Sequence, residues 1–185
     1  MSGSYDGTVR TWVDGEEVDR LVAPAGSAVS GVKLSSDASR MAVSCTDGTV
    51  FVRDAGEKLR VLQPPQGLAG GTLEMSGEGR FVVWASKQED LTIVWDLETG
   101  EETRWTGEGR LGLAVFALLP DGSRMVSASR GEGSLRLRSR TAPETLTRLP
   151  HPSGVLRAAV FSGDGRRLFT AGSDASLRVW EGPRL

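Results

Sequence analysis

Short apolar runs alternate with glycine-rich and aspartate-rich punctuation along the whole 185-residue chain. The run from Val155 to Phe161 is one example, and the turn residues from Ser162 to Arg166 separate it from the run that begins at Arg167. Runs of this length bounded by Gly, Asp and Pro are typical of strands joined by turns. No window shows a 3.6-residue period over helical length. The pattern therefore predicts an all-β protein.

One strand motif recurs at a nearly fixed interval. Its first copy runs from Asp6 to Trp12, and its last position falls at residues 12, 53, 95, 138 and 180, a spacing of 41 to 43 residues. A second motif, such as Phe161-Ser162-Gly163-Asp164-Gly165, occurs between these copies. A constant period with several short strands predicts a repeat architecture.

This period, with four short strands per unit and Trp95-Asp96 at the end of one of them, resembles the WD40 family of β-propellers. Trp180-Glu181 is similar to that pair, whereas Arg53 and Arg138 replace the tryptophan, so the repeats are degenerate. The resemblance implies a WD40-type propeller, in which the four strands of each blade are lettered a to d from the axis to the rim.

The repeats predict a single propeller segment over residues 1–185, formed as a partial arc of three complete four-stranded blades and two incomplete ones. The expected blades span about residues 1–22 (partial), 28–62, 68–106, 112–149 and 154–181 (lacking strand d). Such an arc resembles part of a longer array. We expect it to need further repeats or self-association to close a ring.

The resemblance also implies a hydrogen-bonded tetrad in the fifth repeat, made of His151, Thr170, Asp174 and Trp180. In this arrangement a carboxylate orients the imidazole, while the hydroxyl and the indole N–H complete the network. A catalytic triad is the alternative interpretation of the only histidine beside an aspartate and a threonine. The spacing favours the structural tetrad.

Other motifs give no catalytic or cofactor site. Gly107 to Gly112 fits a dinucleotide-binding pattern, but strand residues follow it where that motif needs a helix. Asp96 to Trp105 is similar to the tryptophan-docking motif of quinone-cofactor propellers, yet it also fits a WD40 turn between strands c and d. Cys45 is expected to be an inert buried thiol. The sequence predicts no catalytic residue, no cofactor and no metal.

Charge is distributed unevenly. The formal net charge is −2, but residues 1–123 carry −8 and residues 124–185 carry +6. Arg136, Arg138 and Arg140 lie on one side of a strand end, either as a solvated outer strand or as a docking surface for an anionic partner. Aromatic residues do not alternate with them as nucleic-acid stacking requires, so no nucleic-acid partner is expected.

No apolar run approaches the roughly 20 residues that span a bilayer, and no signal-peptide pattern is visible. A cytoplasmic protein without a membrane partner is therefore expected. The resemblance implies a non-catalytic protein–protein interaction scaffold, or the sensing region of a larger signalling protein, for a protein or peptide of unknown identity. Its binding face would be built from b–c turns and d–a loops. The candidate residues there are Tyr5, Lys87, Arg110 and Arg130.

Two alternatives remain open at this point. One is a fragment of a propeller enzyme that binds a small molecule or cofactor at the central funnel. The other is a truncated gene-model piece with no independent function.

Overall fold

Strands dominate the computed structural model, which describes residues 1–55, 58–106, 113–129, 134–142, 146–150 and 155–181. Within these residues, eighteen strands form five antiparallel sheets, three of four strands and two of three. The one helical element in the described part is the 3-10 turn Pro24–Gly26, which is far too short to cross a membrane. The all-β prediction is confirmed.

The strands follow chain order within every sheet. Blade 1 contains β1 (Ser2–Gly3), β2 (Thr8–Val13) and β3 (Glu16–Val22). Blade 2 contains β4 (Val29–Leu34), β5 (Arg40–Cys45), β6 (Val50–Asp54) and β7 (Leu59–Leu62). Blade 3 contains β8 (Gly71–Met75), β9 (Phe81–Ser86), β10 (Thr92–Asp96) and β11 (Glu102–Trp105). Blade 4 contains β12 (Leu113–Leu118), β13 (Arg124–Ser129), β14 (Ser134–Ser139) and β15 (Leu146–Pro150). Blade 5 contains β16 (Leu156–Phe161), β17 (Arg167–Gly172) and β18 (Leu177–Glu181).

The five sheets are the blades of a partial propeller, as predicted. Blades 2, 3 and 4 have all four strands, blade 1 has strands b, c and d, and blade 5 has strands a, b and c. The inner strands β4, β8, β12 and β16 contact one another in sequence order. Successive blades therefore stand side by side around the arc.

Tight turns fix how closely the blades approach. Gly48, in the b–c turn of blade 2, has a φ of +92°, which glycine adopts without strain. A Cβ atom at Gly48 would lie 2.1 Å from the carbonyl oxygen of Leu68. Only glycine therefore fits where this turn meets the connection to blade 3.

The hydrophobic core lies between the blades, in four clusters that correspond to the four junctions. Each junction joins two different faces. We call the side of a blade that packs on the following blade its tail face, and the side that packs on the preceding blade its head face. At the junction of blades 4 and 5, Leu135 and Leu137 of the tail face pack with Leu168 and Trp180 of the head face.

Polar contacts reinforce the junctions. Between blades 2 and 3, the amide of Ser36 donates to the carbonyl of Gly77 at 2.8 Å. Arg40 Nη1 donates to the carbonyl of Gly79 at 3.2 Å. These bonds satisfy backbone carbonyls at the turns and fix the relative position of the two blades.

No residue in the described part of the chain covers the outward faces of the end blades. Leu177 and Val179 on the tail face of blade 5 are 70% and 51% exposed, and Trp12 on the head face of blade 1 is 42% exposed. The structure is therefore an open arc with an apolar surface at each end.

Candidate interaction face

The b–c turns and d–a connections of blades 1 to 3 form the surface that sequence analysis selected for binding. It consists of residues 4–7, 23–28, 46–49, 63–70 and 86–91, and we call it the turn-and-loop face. Its first four segments contact one another in order, as the following contacts show.

The b–c turn of blade 1 is held by Asp6. Its Oδ1 atom accepts hydrogen bonds from the hydroxyl of Thr8 at 2.6 Å and from the amide of Thr8 at 2.9 Å. Its Oδ2 atom accepts one from Arg10 Nη2 at 2.9 Å. These bonds, with the Thr8 hydroxyl contributing most, lower the pKa of Asp6 to about 2. The turn is therefore pinned by an ionised carboxylate.

A second aspartate joins a loop to the next turn. The hydroxyl of Ser27, in the connection from blade 1 to blade 2, donates to Asp47 Oδ2. The amide of Thr49 donates to Asp47 Oδ1 at 2.9 Å. Burial raises the pKa of Asp47, but these hydrogen bonds outweigh it and the net direction is down. This contact between two separate segments was not predicted from the sequence.

Backbone contacts complete the continuity of the face. The amide of Ala23 donates to the carbonyl of Gly7 at 2.8 Å, which joins the first turn to the following connection. The amide of Thr46 donates to the carbonyl of Ala28 at 2.9 Å, and Gly48 abuts Leu68. Residues 4–7, 23–28, 46–49 and 63–70 thus form one contiguous surface.

Two of the four predicted binding residues are described. Tyr5 lies at the tip of the pinned turn of blade 1 and is 82% exposed. Lys87 is exposed in the b–c turn of blade 3. Arg110 and Arg130 lie outside the described residues. The face thus presents an aromatic ring and a cation on different turns.

An open polar cleft of about 210 Å³ lies beside Asp47 on the same face. Its walls are the b–c turn of blade 2 and the segment from Gln63 to Leu68. Pro64 and Pro65 in that segment have fixed φ angles, which limits the freedom of this wall. The cleft offers carboxylate and amide groups to a ligand.

The structure brings together two members of the predicted tetrad in blade 5. Trp180 Nε1 donates to Thr170 Oγ1 at 2.9 Å. Asp174 Oδ1 accepts from the hydroxyl of Ser176 at 2.6 Å, and Asp174 Oδ2 accepts from Arg178 Nη2 at 3.0 Å. His151 lies outside the described residues, so the full tetrad stays a prediction.

Blade 1 repeats this arrangement. Trp12 Nε1 donates to Ser2 Oγ at 2.9 Å, and Asp6 holds Thr8 and Arg10 as Asp174 holds Ser176 and Arg178. The interval from hydroxyl to indole is ten residues in both blades. The Ser2–Trp12 pair was not predicted from the sequence, although this ten-residue interval was the signal for it.

The arginine run does not form the surface that sequence analysis expected. Arg136 and Arg138 are only 3% and 8% exposed, on the head face of blade 4 at its junction with blade 3. Arg138 Nη2 donates to the carbonyl of Thr106 at 3.3 Å, and the guanidinium carbon of Arg140 lies 4.4 Å from the ring centroid of Phe81.

This corrects both interpretations of the run, as a solvated outer strand and as an anionic docking surface. The physical reason is that neighbouring blades cover both sides of strand c. Alternation shows which residues share a side, but that side here faces blade 3 and not solvent. Arg138 occupies the position that Trp180 has in blade 5.

Cys45 is completely buried in the cluster between blades 1 and 2. Burial, together with the nearby Asp47, raises the pKa of its thiol to about 11. It is therefore a poor nucleophile near neutral pH. In the described part of the chain, no group of three or more His, Cys, Asp or Glu side chains is placed to hold a metal ion.

The concave side of the arc contains a cavity of about 470 Å³ between the inner strands. Lys33 and Glu74 lie in its wall and form an ion pair at 2.5 Å. Burial raises the pKa of Glu74 despite the opposing effect of Lys33. Met75, Leu118 and Phe161 make much of the remaining lining apolar.

Comparison with known families identifies the repeat. The family profile described as WD domain, G-beta repeat matches residues 15–54 and 143–181. A comparison with curated proteins gives no significant match. Each matched range contains the outer strand of one blade and strands a, b and c of the next, so the sequence repeat spans two blades. The profile assigns these two ranges as WD40 repeats, and the blade architecture and the repeat period agree with that assignment.

Proposed function

We propose that this protein is a non-catalytic interaction scaffold, or the sensing region of a larger signalling protein, that binds a peptide segment through its turn-and-loop face. WD40 repeats generally mediate protein–protein interaction. The observation that carries the proposal is Tyr5, which is 82% exposed on a turn pinned by Asp6. An exposed aromatic ring on a rigid support provides a large contact area at a small loss of freedom.

The polar groups and the charge of the turn-and-loop face indicate which class of peptide it would bind. The cleft beside Asp47 offers carboxylate and glutamine groups that accept hydrogen bonds from a peptide backbone. Residues 1–123 carry a net charge of −8, which attracts a basic partner over long range. We therefore expect an extended peptide that combines an apolar side chain for Tyr5 with a basic residue near Asp47. Neither nucleic acid nor membrane is part of the proposal.

The proposal includes a cytoplasmic setting. The chain contains one cysteine, Cys45, and its thiol is free and buried, which supports this setting. Proteins of reducing compartments keep their thiols in this form.

A displayed peptide library selected on the purified chain tests the proposal. We expect enriched basic peptides whose affinity falls at least about tenfold, or about 1.4 kcal/mol, in Tyr5→Ala. The matched control is Val18→Ala, which removes an exposed side chain from the outer strand of blade 1, away from the face. Selected peptides that bind Tyr5→Ala and Val18→Ala equally well would contradict the proposed face.

An enzyme that binds a small molecule at the funnel is the competing function. Its site would be the concave cavity, where the charged side chains Lys33 and Glu74 already satisfy each other. Peptide selection distinguishes the two candidate sites. Peptides that respond to Glu74→Gln and not to Tyr5→Ala would move the binding site to the concave side.

A further inference from the structure

An aspartate followed by a glycine is a chemically reactive pair. The glycine amide nitrogen can attack the aspartate carboxyl and close a succinimide ring, because glycine has no Cβ atom to hinder the approach. The chain contains five such pairs, which are Asp6-Gly7, Asp14-Gly15, Asp47-Gly48, Asp121-Gly122 and Asp164-Gly165. All of them lie in turns of the described structure, so their surroundings can be compared directly.

Four of these pairs have a carboxylate that the fold holds in place. In each of them, the backbone amide two residues further along the chain donates to the aspartate Oδ1 atom at 2.9 or 3.0 Å. The bonds run from Thr8 to Asp6, from Thr49 to Asp47, from Ser123 to Asp121 and from Arg166 to Asp164.

The same four turns also engage the attacking amide. The glycine N–H donates to a backbone carbonyl three residues earlier in the chain. These bonds join Gly7 to Ser4 at 3.1 Å, Gly48 to Cys45 at 3.2 Å, Gly122 to Leu119 at 2.8 Å and Gly165 to Ser162 at 2.9 Å. Both reacting groups are therefore held, and ring closure requires the turn to open first.

The fifth pair, Asp14-Gly15, differs in both respects. It forms the two-residue c–d turn between β2 and β3, with φ angles of +50° and +86°. Among the described residues, no hydrogen bond or ion pair holds the Asp14 carboxylate, and no carbonyl accepts from the Gly15 amide. Both residues are exposed, and a Cβ atom at Gly15 would meet no atom within 4 Å.

The exposure of this turn follows from its place in the blade. The c–d turn of blade 3, which has a blade on each side, is also exposed from Glu98 to Glu101. A Cβ atom at Gly100 in that turn would likewise meet no atom within 4 Å. A c–d turn therefore stays open between neighbouring blades.

We propose that Asp14 is a site of spontaneous isoaspartate formation in the folded protein. The Gly15 nitrogen bonds to Cγ of Asp14, and one carboxyl oxygen leaves as water. Water then adds to the main-chain carbonyl of the succinimide and breaks its bond to nitrogen, which leaves the chain linked through the former side chain. The net change is an isomerisation, and nothing is oxidised or reduced.

The product presents a new group to other proteins. Isoaspartate has one more carbon in the backbone and a free α-carboxylate. An isoaspartyl carboxyl methyltransferase esterifies that carboxylate with the methyl group of S-adenosylmethionine and releases S-adenosylhomocysteine. The c–d turn lies at the opposite end of the strands from the turn-and-loop face, so the test is independent of the proposed peptide binding.

Mass spectrometry of the aged protein is the first test. The full chain is kept folded at neutral pH for several weeks and then cut with trypsin, which separates Asp14 in residues 11–20 from Asp6 in residues 1–10. Electron-transfer fragmentation distinguishes isoaspartate from aspartate. We expect isoaspartate to accumulate at Asp14 at least about tenfold faster than at Asp6, which is the matched exposed aspartate. Equal rates at the two sites would overturn the proposal.

The unfolded chain is the control for local sequence. In guanidinium chloride the hydrogen bonds of the other four turns are lost, so we expect all five pairs to form isoaspartate at similar rates. A preference for Asp14 that persists unchanged in the unfolded chain would show that flanking residues cause it, and would refute the role of the fold.

A methyltransferase assay with variants completes the test. Aged protein is incubated with an isoaspartyl methyltransferase and labelled S-adenosylmethionine. Asp14→Gly removes the carboxyl and keeps the positive φ without strain, so methyl incorporation should fall to background. Glu16→Gln changes a neighbouring exposed carboxylate and keeps the reactive pair, so it should match the wild type. Undiminished incorporation in Asp14→Gly, with strand content verified by circular dichroism, would place the modification elsewhere and overturn the assignment.

Discussion

Strand c of blade 4 and strand c of blade 5 have the same pattern and opposite surroundings. β14 carries Leu135 and Leu137, and β18 carries Leu177 and Val179 at the same positions. The leucines of β14 are buried at the junction with blade 5, whereas the side chains of β18 face outward from the arc. Local sequence therefore determines that both are strands. The presence of a neighbouring blade determines whether their apolar side chains contribute to stability.

The largest expected difference in stability between the two strands comes from shortening one leucine in each. Leu135→Ala leaves a cavity between two blades, so we expect a loss of about 2–5 kcal/mol in the free energy of unfolding. Leu177→Ala removes an exposed side chain and should change it by less than about 0.5 kcal/mol. Urea denaturation of the two variants at one low protein concentration gives both values. Equal losses would show that blade 5 is covered in solution.

A smaller effect is expected from the two tryptophans that bond to strand-b hydroxyls. Trp180→Phe leaves the buried Thr170 hydroxyl without this donor, and we expect a loss of about 1–3 kcal/mol. Trp12→Phe removes the equivalent bond to Ser2 at the exposed end and should cost less than about 1 kcal/mol, because water replaces the donor. Chemical unfolding monitored by far-UV circular dichroism compares them. A larger loss from Trp12→Phe would contradict the difference between an inner and an outer face.

The smallest expected effect is on the stability of the fold at acid pH. Asp96 is buried at the end of β10, and hydrogen bonds from Arg80 lower its pKa from 3.8 to about 2, although burial opposes them. A carboxyl whose pKa is lower in the folded state stabilises the fold above its unfolded pKa, and this contribution is lost as the pH falls toward 2. We expect stability to decrease between about pH 5 and pH 2 and the decrease to be smaller in Asp96→Asn.

Glu181 is the matched control, because it occupies the corresponding position at the exposed end of β18. Unfolding free energies of Asp96→Asn and Glu181→Gln at a series of pH values make the comparison. A pH profile of Asp96→Asn that is identical to the wild type would show that the Arg80–Asp96 pair does not govern the acid response.

The period of the strand motif predicted the fold. Each copy of the motif lies at the end of strand c of one blade, so the number of copies equals the number of blades. The same reasoning failed for Arg136 and Arg138, because alternation in a propeller distinguishes two faces that are both buried. A charged residue at such a position is normally taken as exposed. Only the placement of blade 3 against blade 4 shows that these side chains are enclosed.

The candidate face was predictable only in part. The exposure of Tyr5 agrees with its position at the tip of an Asp-Gly turn, and the ten-residue interval between Ser2 and Trp12 was present in the sequence. The bond from Ser27 to Asp47 was not predictable, because it joins a connection to a turn twenty residues away and depends on how two loops approach. Contacts between irregular segments have no sequence period.

The offset between the sequence repeat and the blade has a consequence for the history of the chain. A unit such as residues 15–54 contains the outer strand of one blade and the three inner strands of the next. Duplication or deletion of one unit in the gene therefore adds or removes a complete blade-to-blade contact and never leaves half of one. A repeat of this kind can therefore change the number of blades by recombination without evolving a new type of junction between them.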